Sequence, residues 1–424
     1  QIDKKINEFN YWFPKFHKKN YKNINETSKI FIRKTFDAIE NKIDKKKNTN
    51  LFLSGGLDTR FILASLLKLK YRPTCYTFGF NKKSEFFYSK LLTKISNLKH
   101  FFLKIKEDEI LRNQNFKFNL SGGMFNYYIN FFSKQKLHKL KINDNTLHGH
   151  GFDYLFQGMY IPSVKPKIFG KETYLKFPVN LSKKKNIIKY YFYNSNYKTS
   201  NFDINNYLKK DYKNNILKKI IQTLNQDFRE LKRIKDNNDK WEYIMIKNLS
   251  RHYSHLDVIS LSEYGNNKTI TFDNNLFDFY LTLKKNFRFD GKMIKKSLSI
   301  LNKKFANIPS ANHGQKIVNS SYKLFFNSII KKIIYTISKN ERYKHPASHK
   351  RTFPNLDEQI KNSKYLQKNI EKMFKSKDFI NFLYFINFKN IEKDYLLMLK
   401  NKKKNLGQIL FLLSHLLKLK KKLV

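Results

Sequence analysis

Leu53-Ser54-Gly55-Gly56-Leu57-Asp58-Thr59 closes a short apolar run, Asn50-Leu51-Phe52-Leu53-Ser54, and leads into a helical pattern over residues 60–69. Such a run predicts a buried strand ending in a tight glycine turn. Two adjacent glycines let the backbone come close to an anion. The N–H groups and positive dipole end of the following helix point at the same spot. Ser54 and Thr59 add hydroxyl donors. Asp58 is out of place beside a phosphate unless it holds a metal ion or a cationic group. The loop lacks the Gly-Lys-Ser/Thr ending of the Walker pattern.

Outward from this loop, the pattern alternates. Residues 24–46 form a polar-faced helix, with Ile30, Phe31, Phe36, Ile39 and Ile43 on its apolar side. A second strand is expected within residues 71–80, and a helix capped by Ser84 over residues 84–97. A third strand follows at 100–105, a helical stretch at 125–140, and a fourth strand at 145–149 that again ends in glycine. Strands alternating with helices of this length predict an α/β fold with a doubly wound parallel sheet. Ligands bind such sheets at the carboxyl ends of the strands, where both glycine clusters fall. From about residue 160 the pattern changes to helices joined by Lys/Asn-rich loops, with residues 163–239 the loosest part. Residues 322–424 read as wholly helical apart from a loop at 345–354. No internal repeat is present, since Ser121-Gly122-Gly123 lacks the Asp that follows Gly55-Gly56.

The 424 residues carry a net charge of +52, from 75 lysines and 10 arginines against 33 acidic residues. Residues with AT-rich codons are abundant and alanine is scarce, so coding bias accounts for the lysines. Proteins that read nucleic acid favour arginine, which is depleted here. Nucleic acid is therefore not the expected partner. Cys75 is the one cysteine, which excludes a disulfide framework and a Cys-built zinc site. It falls in the second predicted strand, as a core residue. No apolar run reaches the ~18 residues of a membrane span. No signal peptide is read, and a cytoplasmic location is expected. The aromatic runs Phe86-Phe87-Tyr88 and Tyr190-Tyr191-Phe192-Tyr193 are expected to serve packing. His148 and His150 have no third ligand in the pattern to complete a metal site.

The second motif is His148-Gly149-His150-Gly151-Phe152-Asp153-Tyr154-Leu155-Phe156-Gln157-Gly158-Met159-Tyr160. The first loop matches the SGGxDS/T loop of the PP-loop ATP pyrophosphatases. The second motif resembles the SGEGxDELFGGY segment of the asparagine synthetases, whose synthetase domain also carries SGGLDS. Shorter likenesses are Tyr76-Thr77-Phe78-Gly79, Ser84-Glu85, residues 270–279 and residues 305–314. Residues 11–14 look like the stretch that follows that family's glutaminase domain. The resemblance covers most of residues 10–315. It divides the chain into a linker and helix (1–46), a synthetase-type domain (47–315) and a helical extension (316–424). It also implies a glutaminase domain upstream of Gln1 that was lost, or else the use of free ammonia or another amine.

By position, the resemblance implies ATP and Mg²⁺ as cofactors. Leu53, Phe78 and Gly79 would frame the adenine, and Ser54, Gly55, Gly56 and Thr59 the pyrophosphate. His148 and Gly149 would line the nucleotide. Asp58 and Asp153 would share the metal, and His150 would stand near the reacting carboxylate and amine. The implied reaction adenylates a carboxylate, by default aspartate, and passes it to ammonia to give an amide. A surface-sugar acid would be another carboxylate for the same chemistry. The chain departs from the pattern at His150, where the family has glutamate, at Tyr154, and at Asn312-His313, where relatives carry lysine. Lys268 and Lys316 are the nearest candidates to replace that lysine. A tRNA-modifying PP-loop enzyme and a nucleotide-binding protein without turnover are the alternative readings.

Overall fold

The computed structural model describes residues 12–105, 144–168, 171–194, 206–252, 266–311, 313–339, 356–403 and 405–423. The predicted helix at 125–140, Ser121-Gly122-Gly123, Asn312 and the loop at 345–354 lie outside them.

The architecture is α/β: a parallel five-stranded sheet with flanking helices. The strands are β1 (Thr49–Phe52), β2 (Thr74–Gly79), β3 (His100–Lys104), β4 (Asn145–Leu147) and β5 (Asn266–Lys268). Their order is β3-β2-β1-β4-β5, so the chain steps outward one way from β1 and then the other. The crevice at that reversal lies between the carboxyl ends of β1 and β4. Leu51 pairs with Cys75 on one side and with Leu147 on the other, and all three are buried. β1 is buried along its whole length, as expected of a parallel strand covered on both faces.

β5 was not expected. Asn266-Asn267-Lys268 has no apolar run, and it joins the sheet through its backbone, paired with β4. Two helix boundaries also differ from expectation. Helix α2 spans Leu57–Lys68, so Asp58 and Thr59 belong to its first turn instead of preceding it. Helix α3 spans Ser84–Ile95 with Lys83 in the cap position, so Ser84 is the first helical residue and not its cap.

Helix α1 (Ile24–Lys42) and the helix Lys292–Leu301 pack against α2 and one another. Phe31 of α1 stacks on Phe61 of α2 at 5.0 Å and lies 4.7 Å from Phe156. The core is thus built around the second glycine motif. Leu356–Leu423 forms short helices with an apolar core of their own, which takes in Phe80 and Ile105 beyond the ends of β2 and β3. Ser163–Val164 pairs antiparallel with Phe177–Pro178, and Lys167–Ile168 with Lys171–Glu172. Tyr190 and Tyr191 pack on Trp241, as expected of a packing run.

One half-buried histidine, His100, belongs to the sheet. His100 Nε2–H donates to Thr77 Oγ1 at 2.8 Å, and Thr77 Oγ1–H donates to the Leu53 carbonyl at 2.6 Å. Burial lowers His100 to about 4, with nearby Lys90 adding to the shift. The unfolded chain takes up this proton near pH 6.5, whereas the folded chain resists it. Stability from His100 is therefore complete above about pH 6.5 and is lost as the pH falls toward 4. Thermal unfolding across this window should show a shallower fall in midpoint for His100→Gln than for the wild type. Parallel curves would refute the assignment.

Candidate functional site

The loop after β1 is held from three directions. Gly55 has φ +71°, in the left-handed region, and a β-carbon there would stand 3.1 Å from Tyr88 Cβ. Ser54 Oγ lies 3.2 Å from Thr59 Oγ1 and accepts from Gly56 N–H at 3.3 Å. Leu53 N–H donates to Tyr76 O at 2.8 Å. The Leu53 carbonyl accepts from Thr77 Oγ1 and from Ser89 Oγ at 3.0 Å. Both backbone groups of Leu53 are thus engaged within the chain, and its side chain is buried in the core. Gly56 caps α2 without a side-chain hydrogen bond, so the N–H groups of the first turn have no capping acceptor.

The third direction is one that sequence reasoning missed. Arg60, fully buried, reaches back under the loop. Its Nη2 donates to Gly55 O at 2.6 Å and Pro309 O at 3.1 Å. Its Nη1 donates to Phe305 O at 3.0 Å and Ile308 O at 2.7 Å. Burial lowers its pKa to about 10, so it remains a cation. One guanidinium therefore fastens the 305–309 segment to the glycine loop. A charged residue at an apolar position of LDTRFILASLL was the available signal.

The second motif meets the first at Gly149. A β-carbon there would stand 2.8 Å from both Asp58 Cβ and Thr59 Cγ2. No other residue allows this approach. Gly151 (φ +92°) caps the one-turn helix Phe152–Leu155 and abuts Thr271, whose hydroxyl donates to His150 O at 2.5 Å. The 270–279 segment is thereby docked on the motif, and Asp273 caps the helix Asn274–Thr282. Arg288, paired in the interior with Glu242, donates to Leu155 O at 3.4 Å and steadies the same turn.

These contacts bring Asp58 and Asp153 together. Both are withdrawn from water and repel one another. Burial first, then the Asp153 charge, raises Asp58 well above the carboxylate range. Burial raises Asp153 to about 7, against the N–H donors of its own turn. Gln157, also not anticipated, donates its amide to Asp58 Oδ1. Two facing carboxylates short of positive charge fit Mg²⁺, which takes one or two carboxylates and completes its shell with phosphate oxygens and water. No group of three or more His, Cys, Asp or Glu suited to a metal occurs among the described residues. An all-protein cage is therefore absent from that part of the chain.

His148 is a supporting residue. Its Nδ1 accepts from His150 N–H at 3.4 Å, so Nε2 carries the proton and faces Thr269 Oγ1 at 3.3 Å. Burial, helped by His150, lowers it to about 3, and it stays neutral. Both ring nitrogens are thus engaged within the chain. His150 is half-buried, its ring edge-on to Tyr154 at 5.2 Å. Phe78 and Gly79 end β2; Phe78 packs on Phe52 at 4.9 Å. Lys268 ends β5 beside β4, half-buried, whereas Lys316 is exposed and bridges to Pro309.

Comparison of the chain with protein-family models and with curated proteins finds no match to either.

Two substitutions test this arrangement. Arg60→Met leaves four carbonyls without their donor and should destabilise the fold by about 3–5 kcal/mol in denaturant unfolding. Arg60→Lys should recover only part of that loss, because an ammonium cannot reproduce the planar fork. Full recovery by lysine would show that charge alone matters. Gly149→Ala should cost about 1–3 kcal/mol through overpacking. By displacing Asp58 and Thr59 it should also weaken the ATP binding that the sequence resemblance implies, as measured by calorimetry. Unchanged ATP affinity would separate Gly149 from the site.

Proposed function

We propose that the chain is an ATP-dependent, amide-forming ligase of the asparagine synthetase type, with its sheet of the PP-loop kind. The observation that carries this reading is the contact of Gly149 with Asp58 and Thr59, which sets two half-buried carboxylates against one another beside a glycine loop and an uncapped helix start. The two motifs lie ninety residues apart in sequence, and their meeting at the sheet's switch point is what a nucleotide site requires. Support also comes from the 270–279 and 305–309 segments, which dock on the second and first motifs respectively.

In this reading the substrate carboxylate attacks the α-phosphorus of ATP and pyrophosphate leaves. The amide donors of residues 54–59 and the hydroxyls of Ser54 and Thr59 hold that leaving group where its charge develops. Asp58 and Asp153 would hold Mg²⁺, which when bound neutralises phosphate charge. The acyl-adenylate then passes to ammonia and AMP departs. His150 stands at the rim of the second motif, in place of the family's glutamate. The default carboxylate is aspartate, with a sugar acid as the other class. Nucleotide binding without turnover is the second reading. It is favoured by Gln157, whose amide already occupies Asp58.

Pyrophosphate release from Mg·ATP, with aspartate and ammonia, decides between these readings. The expected result is aspartate-dependent release that falls about a hundredfold or more in Asp58→Asn, a variant that relieves the repulsion and keeps the shape. ATP binding with no release on aspartate or sugar acids would favour the second reading. No ATP binding would overturn both.

A further inference from the structure

The helix Ser321–Ser338 carries an apolar stripe that the described residues leave uncovered. Tyr322, Phe326, Ile329, Ile330, Ile333 and Ile337 are all exposed, from 39% at Ile329 to 79% at Ile337. At ~100° per residue these six fall within an arc of about 100°, one continuous face. The helix is anchored at its start, from the opposite side. Ser321 N–H donates to Asp290 at 2.8 Å, Leu324 is buried, and Gln315 Nε2 reaches Leu324 O and Ser328 Oγ, each at 3.1 Å. Past Ser328 none of its residues is buried. The stripe continues onto the pair Ser163–Val164 and Phe177–Pro178, where the Tyr322 ring meets Phe177 at 6.3 Å. Phe177 pairs with Val164, and both are exposed.

Charge selects the occupant. The helix holds Lys323, Lys331 and Lys332 and no acidic residue. Lys323 borders the stripe on one side and Lys332 flanks it on the other, by the same angular count. A second copy would set these lysines against their own kind, in a chain of net charge +52. An apolar face bordered by lysines matches a surface of acyl chains beneath anionic headgroups. No helix among the described residues is long and apolar enough to cross a membrane, which suits a helix that lies in the interface plane.

We propose that the helix Ser321–Ser338 docks the protein on an anionic phospholipid surface through this stripe. The full chain is tested by co-sedimentation with phosphatidylcholine vesicles containing about 30% phosphatidylglycerol, and with phosphatidylcholine alone. Binding should be at least about tenfold stronger to the anionic vesicles and weaken as salt is added. The triple variant Phe326→Gln, Ile330→Gln, Ile333→Gln keeps the charge and removes the apolar face. It should lose about tenfold or more in binding while its thermal midpoint stays put, because these side chains are exposed. Absence of vesicle binding, or equal binding by the variant, overturns the proposal. So does sedimentation velocity without vesicles that shows a dimer which the variant cannot form. None of these readouts depends on ATP chemistry.

Discussion

The buried guanidinium of Arg60 is the constraint on which the candidate site depends. A cation in the interior needs partners, and the two Nη atoms of Arg60 find them in the carbonyls of the loop it follows and of a segment some 250 residues later. These bonds fix the curvature of the glycine loop. A loop with this much backbone held by side chains is preorganised, so its N–H groups need little rearrangement to meet an anion.

The site itself works against the fold. Asp58 and Asp153 stand half-buried near one another, and no basic side chain among the described residues relieves them. Such an arrangement destabilises the folded state and is retained where function requires it. The surrounding geometry shows how it is held: Gly149 allows the approach, Arg288 steadies the turn that carries Asp153, and Gln157 supplies one donor. His148 adds to the order, its ring held between the backbone of His150 and the hydroxyl of Thr269.

Most of the sheet could be read from the sequence, because four of its strands are apolar runs and two of them lead into glycine. β5 could not, since Asn266-Asn267-Lys268 contributes backbone bonds and almost no apolar surface. The two glycine motifs were legible through spacing and residue type. Their contact was not, because nothing in the sequence says which residue faces Gly149. Arg60 was hidden by composition: in a chain so rich in lysine, one more basic residue draws no notice, and only its apolar neighbours mark it. The cap of α3 was misread because a serine before a helical pattern is a good cap candidate, yet the chain begins the helix on it.

The close approach of Gly149 to Asp58 and Thr59 also bears on how such a chain can diverge. A side chain added at 149 collides with two residues that cannot both retreat, since one starts a helix and the other braces the loop. Changes at these three positions are therefore not independent, and their effects on stability will not add. Residues 58, 59 and 149 form one unit of variation. A lineage could alter the rest of the crevice position by position, but this corner only all at once.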